Sequence, residues 1–118
     1  MALLRIKQRM WYEFCNGVTR QLVGKRAEIE IASLDLGVQM MSRCLPLLGL
    51  VYDGKRDFLE ISIDGLDHLV LKPREVYAEY GPRGLQSVGV LDSDGAWQIL
   101  LLRDPLCLPA PSSTSNSD

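Results

Sequence analysis

At 118 residues, 47% of them hydrophobic and 24% charged, the chain can build one domain with a real core but not two of ordinary size. Thirteen basic and fifteen acidic residues leave a formal charge of −2, so a nucleic-acid role would need a local basic patch. The apolar runs 45–52 and 99–102 are far shorter than the roughly 20 residues of a membrane span, and Met-Ala-Leu-Leu-Arg opens no signal-peptide core; a cytoplasmic protein without membrane contact is expected.

The chain begins with an apolar stripe of helical spacing. Ile6, Met10, Phe14, Val18 and Leu22 step by four, with Leu3, Trp11 and Cys15 beside them. Arg5, Arg9, Asn16, Thr19 and Arg20 project from the other side, and Gly24 is the expected stop. The period then changes to two. Ala27, Ile29 and Ile31 alternate with Glu28 and Glu30, predicting a strand with its acids outward. Residues 38–52 are too long and apolar for one flat strand, and Pro46 lacks the N–H of a central ladder. Two pieces, or one strand bent at Pro46 and Gly49, are expected there. Residues 53–57 read as a hairpin loop before the cleanest strand of the chain, where Leu59, Ile61 and Ile63 alternate with Glu60, Ser62 and Asp64.

Gly65, Leu66 and Asp67 turn the chain into a short strand over 68–71, interrupted by Pro73 and resumed over 76–80. Turns at 81–84 and 92–95 set off a last pair of strands, 85–91 and 97–103. Ile99, Leu100, Leu101 and Leu102 are apolar on both faces, which places this strand centrally or beneath the helix. From Pro109 the composition cannot support a core, so a single domain over 1–109 and a disordered tail over 110–118 are expected. The fold class predicted is α+β: an N-terminal helix followed by about six short antiparallel strands, as a strongly bent sheet or a small, partly open barrel.

No catalytic set, metal site or cofactor site assembles from the spacing. Asp67 and His68 are the one acid–histidine neighbour pair, but adjacent residues of an extended segment point to opposite faces. His68 is therefore expected to be structural, bonded to backbone or to a tyrosine at a strand start. Asp92, Asp94 and Gly95 resemble the start of a calcium loop, yet the twelfth position is Arg103 where such loops carry glutamate; a hairpin turn is the better reading. Glu28, Glu30, Asp35, Glu60 and Asp64 fall mostly on outward strand positions. Cys15, Cys44 and Cys107 would all be needed, with His68, to close a zinc site, so free buried thiols in a reducing compartment are expected instead.

The basic residues fall in two groups: Arg5, Arg9, Arg20, Lys25 and Arg26 near the helix, and Lys72, Arg74 and Arg83 near Pro73. Tyr77 and Tyr80 lie close to the second group, and basic with aromatic residues is what single-stranded nucleic acid needs. These eight cations are the candidate nucleic-acid contacts. Neighbouring acids dilute both groups.

Gly24-Lys25-Arg26-Ala27-Glu28-Ile29-Glu30, Leu45-Pro46-Leu47-Leu48-Gly49-Leu50 with Tyr52-Asp53, His68-Leu69-Val70 before Pro73 and Val76, and Asp94-Gly95 with Gln98-Ile99 occur in this order. Their succession resembles a family of small uncharacterised bacterial proteins, a domain of unknown function. The resemblance spans residues 11–109 and implies a bacterial cytosolic source, without an activity, cofactor or catalytic residue. The function expected is protein–protein contact or self-association, with a homodimer or protein partner, because short strands leave free edges. A nucleic-acid-binding small barrel is the alternative. An enzyme ranks third, since carboxylates from separate strands would have to converge.

Overall fold

Leu59, Ile61 and Ile63 are fully buried in the computed structural model, and the residues between them are not. The period-two pattern thus folds as its chemistry requires, with one face on the core. The structure describes residues 2–22, 25–34 and 37–103, without the side chains of 41–43. The expected tail and the Gly24 stop lie outside the described residues.

Eight strands and one short helix make up this part of the chain. They are β1 (Ala2–Ile6), α1 (Trp11–Leu22), β2 (Arg26–Ser33), β3 (Gly37–Asp53), β4 (Phe58–Ile63), β5 (Leu66–Leu71), β6 (Glu75–Gly81), β7 (Gly84–Leu91) and β8 (Trp97–Arg103), with a 3-10 turn at Gln8–Met10. All pairings are antiparallel, in the order β1-β6-β7-β8-β2-β3-β4-β5. The α+β expectation is therefore corrected to a largely all-β fold. One twelve-residue helix on an eight-stranded antiparallel sheet does not make a second layer of comparable weight. The order is linear, ending on β1 and β5, so the sheet does not close into a barrel.

The leading segment is the source of the error. Ile6 belongs to β1, which pairs with β6 from Ala2 opposite Tyr80 to Ile6 opposite Val76. Met10 is exposed in the 3-10 turn. The true inward face of α1 is Trp11, Cys15 and Val18, with Phe14 and Leu22 partly buried against the same core. Apolar residues four apart across a strand–turn–helix junction imitate one long stripe, and only the partner strand separates them.

The 17-residue β3 changes partner along its length. Its first part pairs with β2 up to Pro46, and from Leu47 it pairs with β4. Cys44 takes a positive φ of 41°, and the β4 register slips between Leu47 and Gly49. A bend in this region was expected, and it divides the sheet into two halves that share one core. Ala27, Ile29, Val76, Val88, Val90 and Leu100 come from one half; Leu47, Leu50, Leu59, Ile61, Ile63 and Val70 come from the other. β8 lies between β7 and β2, as its two-sided apolar sequence predicts.

At the bend β2 no longer covers β3, and α1 takes its place. Leu50 N–H donates to Thr19 Oγ1 at 2.8 Å, and Thr19 Oγ1 shares its proton between Leu50 O at 2.8 Å and Cys15 O at 3.0 Å. One hydroxyl thereby satisfies the strand groups that a neighbouring strand would otherwise take.

Cys15 is free and buried, and burial pushes its thiol up to about 12, so it is a neutral packing group. Cys44 is disulfide-bonded, which corrects the expectation of free thiols; spacing along a chain does not disclose pairing in space. Cys107 lies outside the described residues. The cytoplasmic expectation leaned partly on reduced thiols, and that support is gone.

Candidate functional site

Three features carry polar or exposed chemistry: a polar relay between the sheet halves, a basic cleft, and the β5 edge. The relay holds His68. Asp92 and Gln98 are its other members, and Gln98 is one of two buried polar residues among those described. Asp92 Oδ1 accepts the N–H groups of Asp94 and Ala96 and shapes the turn before β8, while its Oδ2 accepts from Gln98 Nε2 at 2.8 Å. A carboxylate only accepts, so the amide nitrogen of Gln98 faces Asp92 and its oxygen faces His68. The 2.6 Å contact between Gln98 Oε1 and His68 Nε2 then puts a proton on Nε2, which donates across from β5 to β8. His68 thus bonds to a glutamine thirty residues away rather than to backbone or tyrosine. The Asp92 region is the hairpin turn the sequence suggests, with Gly95 at φ 87°.

Replacing Gln98 with leucine should cost about 1–3 kcal/mol, because both His68 and Asp92 lose a partner. His68→Gln, which keeps a polar group at the same place, should cost less than about 1 kcal/mol. Urea denaturation of the two variants measures the difference; equal losses would show that the relay carries no stability of its own.

The eight candidate cations scatter over the surface. Arg9 is exposed in the 3-10 turn, Arg20 lies on the last turn of α1, and Lys25 follows it. Arg26 begins β2 and donates to Cys44 O at 3.3 Å. Arg83 sits in the turn between β6 and β7, at the opposite end of β6 from Arg74, and Lys72 is exposed at φ 52°. Arg5 and Arg74 line one cleft together. Of about 340 Å³, it is lined by Arg5, Ile6, Lys7, Gln8, Trp11, Arg74 and Glu75.

Lys7 is a cation the sequence reading missed. Its backbone is still extended, at φ −65° and ψ 143°, so it shares a face with Arg5 two residues back. A strand reading of residues 2–7 would have found it. Tyr77 lies opposite Arg5 in the β1–β6 ladder, and its hydroxyl donates to Glu75 Oε1 at 2.9 Å. That bond raises the phenol above its ordinary value; burial and the Glu75 charge add to the rise, and the Arg5 charge opposes it. Tyr77 also contacts Trp97, with ring centroids 5.6 Å apart, beyond the cleft.

At the other end of the sheet β5 is the outermost strand among the described residues. Among the described residues it has no neighbour but β4. Lys72 N–H donates to Asp57 O on the β4 side, so by alternation the amides of Leu71, Leu69 and Asp67 point away from β4. Leu69 and Leu71 expose 49% and 61% of their surface, and Val51 stands exposed in the row Val51–Glu60–Leu69 on the same face. β1, the opposite edge, exposes Leu3 and Leu4 but carries Arg5.

No helix of the described residues is long and apolar enough to cross a membrane. No solved structure matches the chain. An uncharacterised protein of Aquifex aeolicus (strain VF5) is 30% identical over 110 residues, which cover 92% of this chain and 99% of the relative. The pattern of a family of unknown function, DUF5335, matches residues 2–111. Nearly the whole chain is thus accounted for by one family, and the protein belongs to DUF5335.

Proposed function

We propose that this protein is a non-enzymatic module that acts by self-association, with the β5 edge as the contact between two copies. The observation that carries the reading is the coincidence of outward amides with exposed Leu69 and Leu71 on one regular strand. Edges left open in this way are templates for further pairing unless charge, proline or a bulge blunts them. Leu66–Leu71 has no lysine, arginine or proline, and its one acid, Asp67, lies near its start. Two antiparallel copies of β5 related by a two-fold axis would satisfy each other's outward groups and cover both leucine pairs. The Aquifex relative supports the expected bacterial source.

Sedimentation should then give a dimer whose stability changes little with salt, since the contact is backbone and apolar. Leu69→Pro removes one outward N–H while sparing the β4 ladder, and it should yield a folded monomer. A wild-type protein that is monomeric at high concentration overturns the reading. So does a Leu69→Pro variant that dimerises as well as wild type.

Nucleic-acid binding is the second reading. Its support is the pairing of Arg5 and Arg74 in one cleft near Tyr77. The other six candidate cations are not among the residues that line that cleft.

A further inference from the structure

We propose that the cleft between the end of β1 and the start of β6 binds a small molecule through its phosphate group. Arg5 on β1, Lys7 directly after it and Arg74 directly before β6 line it together, although about seventy residues separate the two segments. The protein as a whole is acidic, so three cations around one cavity depart from its average surface. Among the described residues no carboxylate lies within ion-pair distance of any of the three; the one ion pair joins Arg103 to Glu28. Glu75, the acid of the lining, accepts the Tyr77 hydroxyl. Its single negative charge offsets one of the three cations, and the lining keeps a net positive charge.

A phosphate monoester carries close to two negative charges at neutral pH and several strong acceptor oxygens. Arginine forks match those oxygens in pairs, and lysine adds a point charge. With Glu75 counted against Arg5, Lys7 and Arg74, such a group suits the cleft better than a single carboxylate, which would leave one positive charge unanswered. The backbone on both sides is anchored: Arg74 N–H donates to Leu91 O at 2.7 Å, and Met10 N–H donates to Lys7 O at 2.8 Å. Anchoring lowers the entropy lost when a ligand is held.

The remaining walls take the organic part. Trp11 donates its indole N–H to Ile6 O at 2.9 Å and is almost fully buried, so it backs the cleft as a rigid floor. Ile6 adds an apolar wall, while Gln8 and Glu75 supply polar groups for hydroxyls. A volume of about 340 Å³ lies at the lower end of the range for small-molecule sites. A cleft of this size suits one phosphate group rather than a polymer backbone.

Calorimetric titration at low salt with inorganic phosphate and with adenosine 5′-monophosphate tests this. Binding of either probe should weaken as salt rises, and should fall about tenfold in each of Arg74→Gln and Lys7→Gln. Both residues are exposed, so the variants should keep the wild-type circular dichroism. Arg83→Gln, a cation outside the cleft, should bind as wild type does. No heat with either probe at millimolar concentration overturns the proposal. Undiminished binding in the two cleft variants does so as well, and binding confined to a single-stranded oligonucleotide replaces it with the nucleic-acid reading.

Discussion

Trp11→Ala should lower the unfolding free energy by about 3–5 kcal/mol, the range for truncating a buried tryptophan. Trp11 is 2% exposed and opens the only helix among the described residues. Its ring meets Tyr52 edge-on, with centroids 5.2 Å apart, and its N–H closes the strand-to-helix junction on Ile6 O. Truncation would empty the space between α1 and β3 and orphan a carbonyl at the end of β1. Trp11→Phe, which keeps a ring and loses the donor, should cost less than half as much. Equilibrium urea unfolding followed by circular dichroism gives both values. A cost under about 1 kcal/mol for the alanine variant would mean that α1 does not depend on this anchor.

Thr19→Val should cost about 2–4 kcal/mol, although it changes neither shape nor volume much. Leaving a buried donor or acceptor without a partner costs about 1–3 kcal/mol, and here one hydroxyl serves both the N–H and the C=O of Leu50. Leu50 is fully buried, and α1 lies so near that a Cβ at Gly49 would sit 3.4 Å from Thr19 Cγ2. Thr19→Ser keeps the hydroxyl and should cost under about 1.5 kcal/mol, the methyl being all that is lost. The serine-to-valine difference isolates the hydrogen bonds, and a negligible difference would show that Leu50 finds another partner.

Residue-by-residue, the sequence was most legible where burial repeats at short range. Leu59, Ile61 and Ile63 of β4, Ala27 and Ile29 of β2, and the two-sided apolar β8 all lie where their patterns put them. The turn at Asp92 was equally plain, because its aspartate and glycine have local reasons to be there. β1 was not legible. Ala2 to Arg5 are exposed on both faces, so burial leaves no alternation to read, and the segment is a strand because β6 accepts it some seventy residues later. Misreading it as helix also hid Lys7, whose place beside Arg5 follows from extended backbone.

The candidate sites follow the same division. Asp67 and His68 are neighbours on β5 and fall on opposite faces, since alternation along a strand is a local rule. That His68 reaches Gln98, and through it Asp92, depends on how far the sheet curls, and no local pattern encodes that curl. Likewise Arg5 and Arg74 belong to separate basic groups along the chain and to one cleft in space.

What this sequence determined by itself is the alternation of its central strands, their turns and the identity of most core residues. Those depend on side-chain polarity and on backbone preferences acting over a few residues. The tertiary structure alone decided the strand at residues 2–6, the placing of α1 over the uncovered part of β3, the bonded state of Cys44 and the convergence of Arg5, Lys7 and Arg74. Each of these needs groups distant in the chain to meet. Such meetings are set by the bend in β3 and by the order of the strands, which arise from packing the whole core at once.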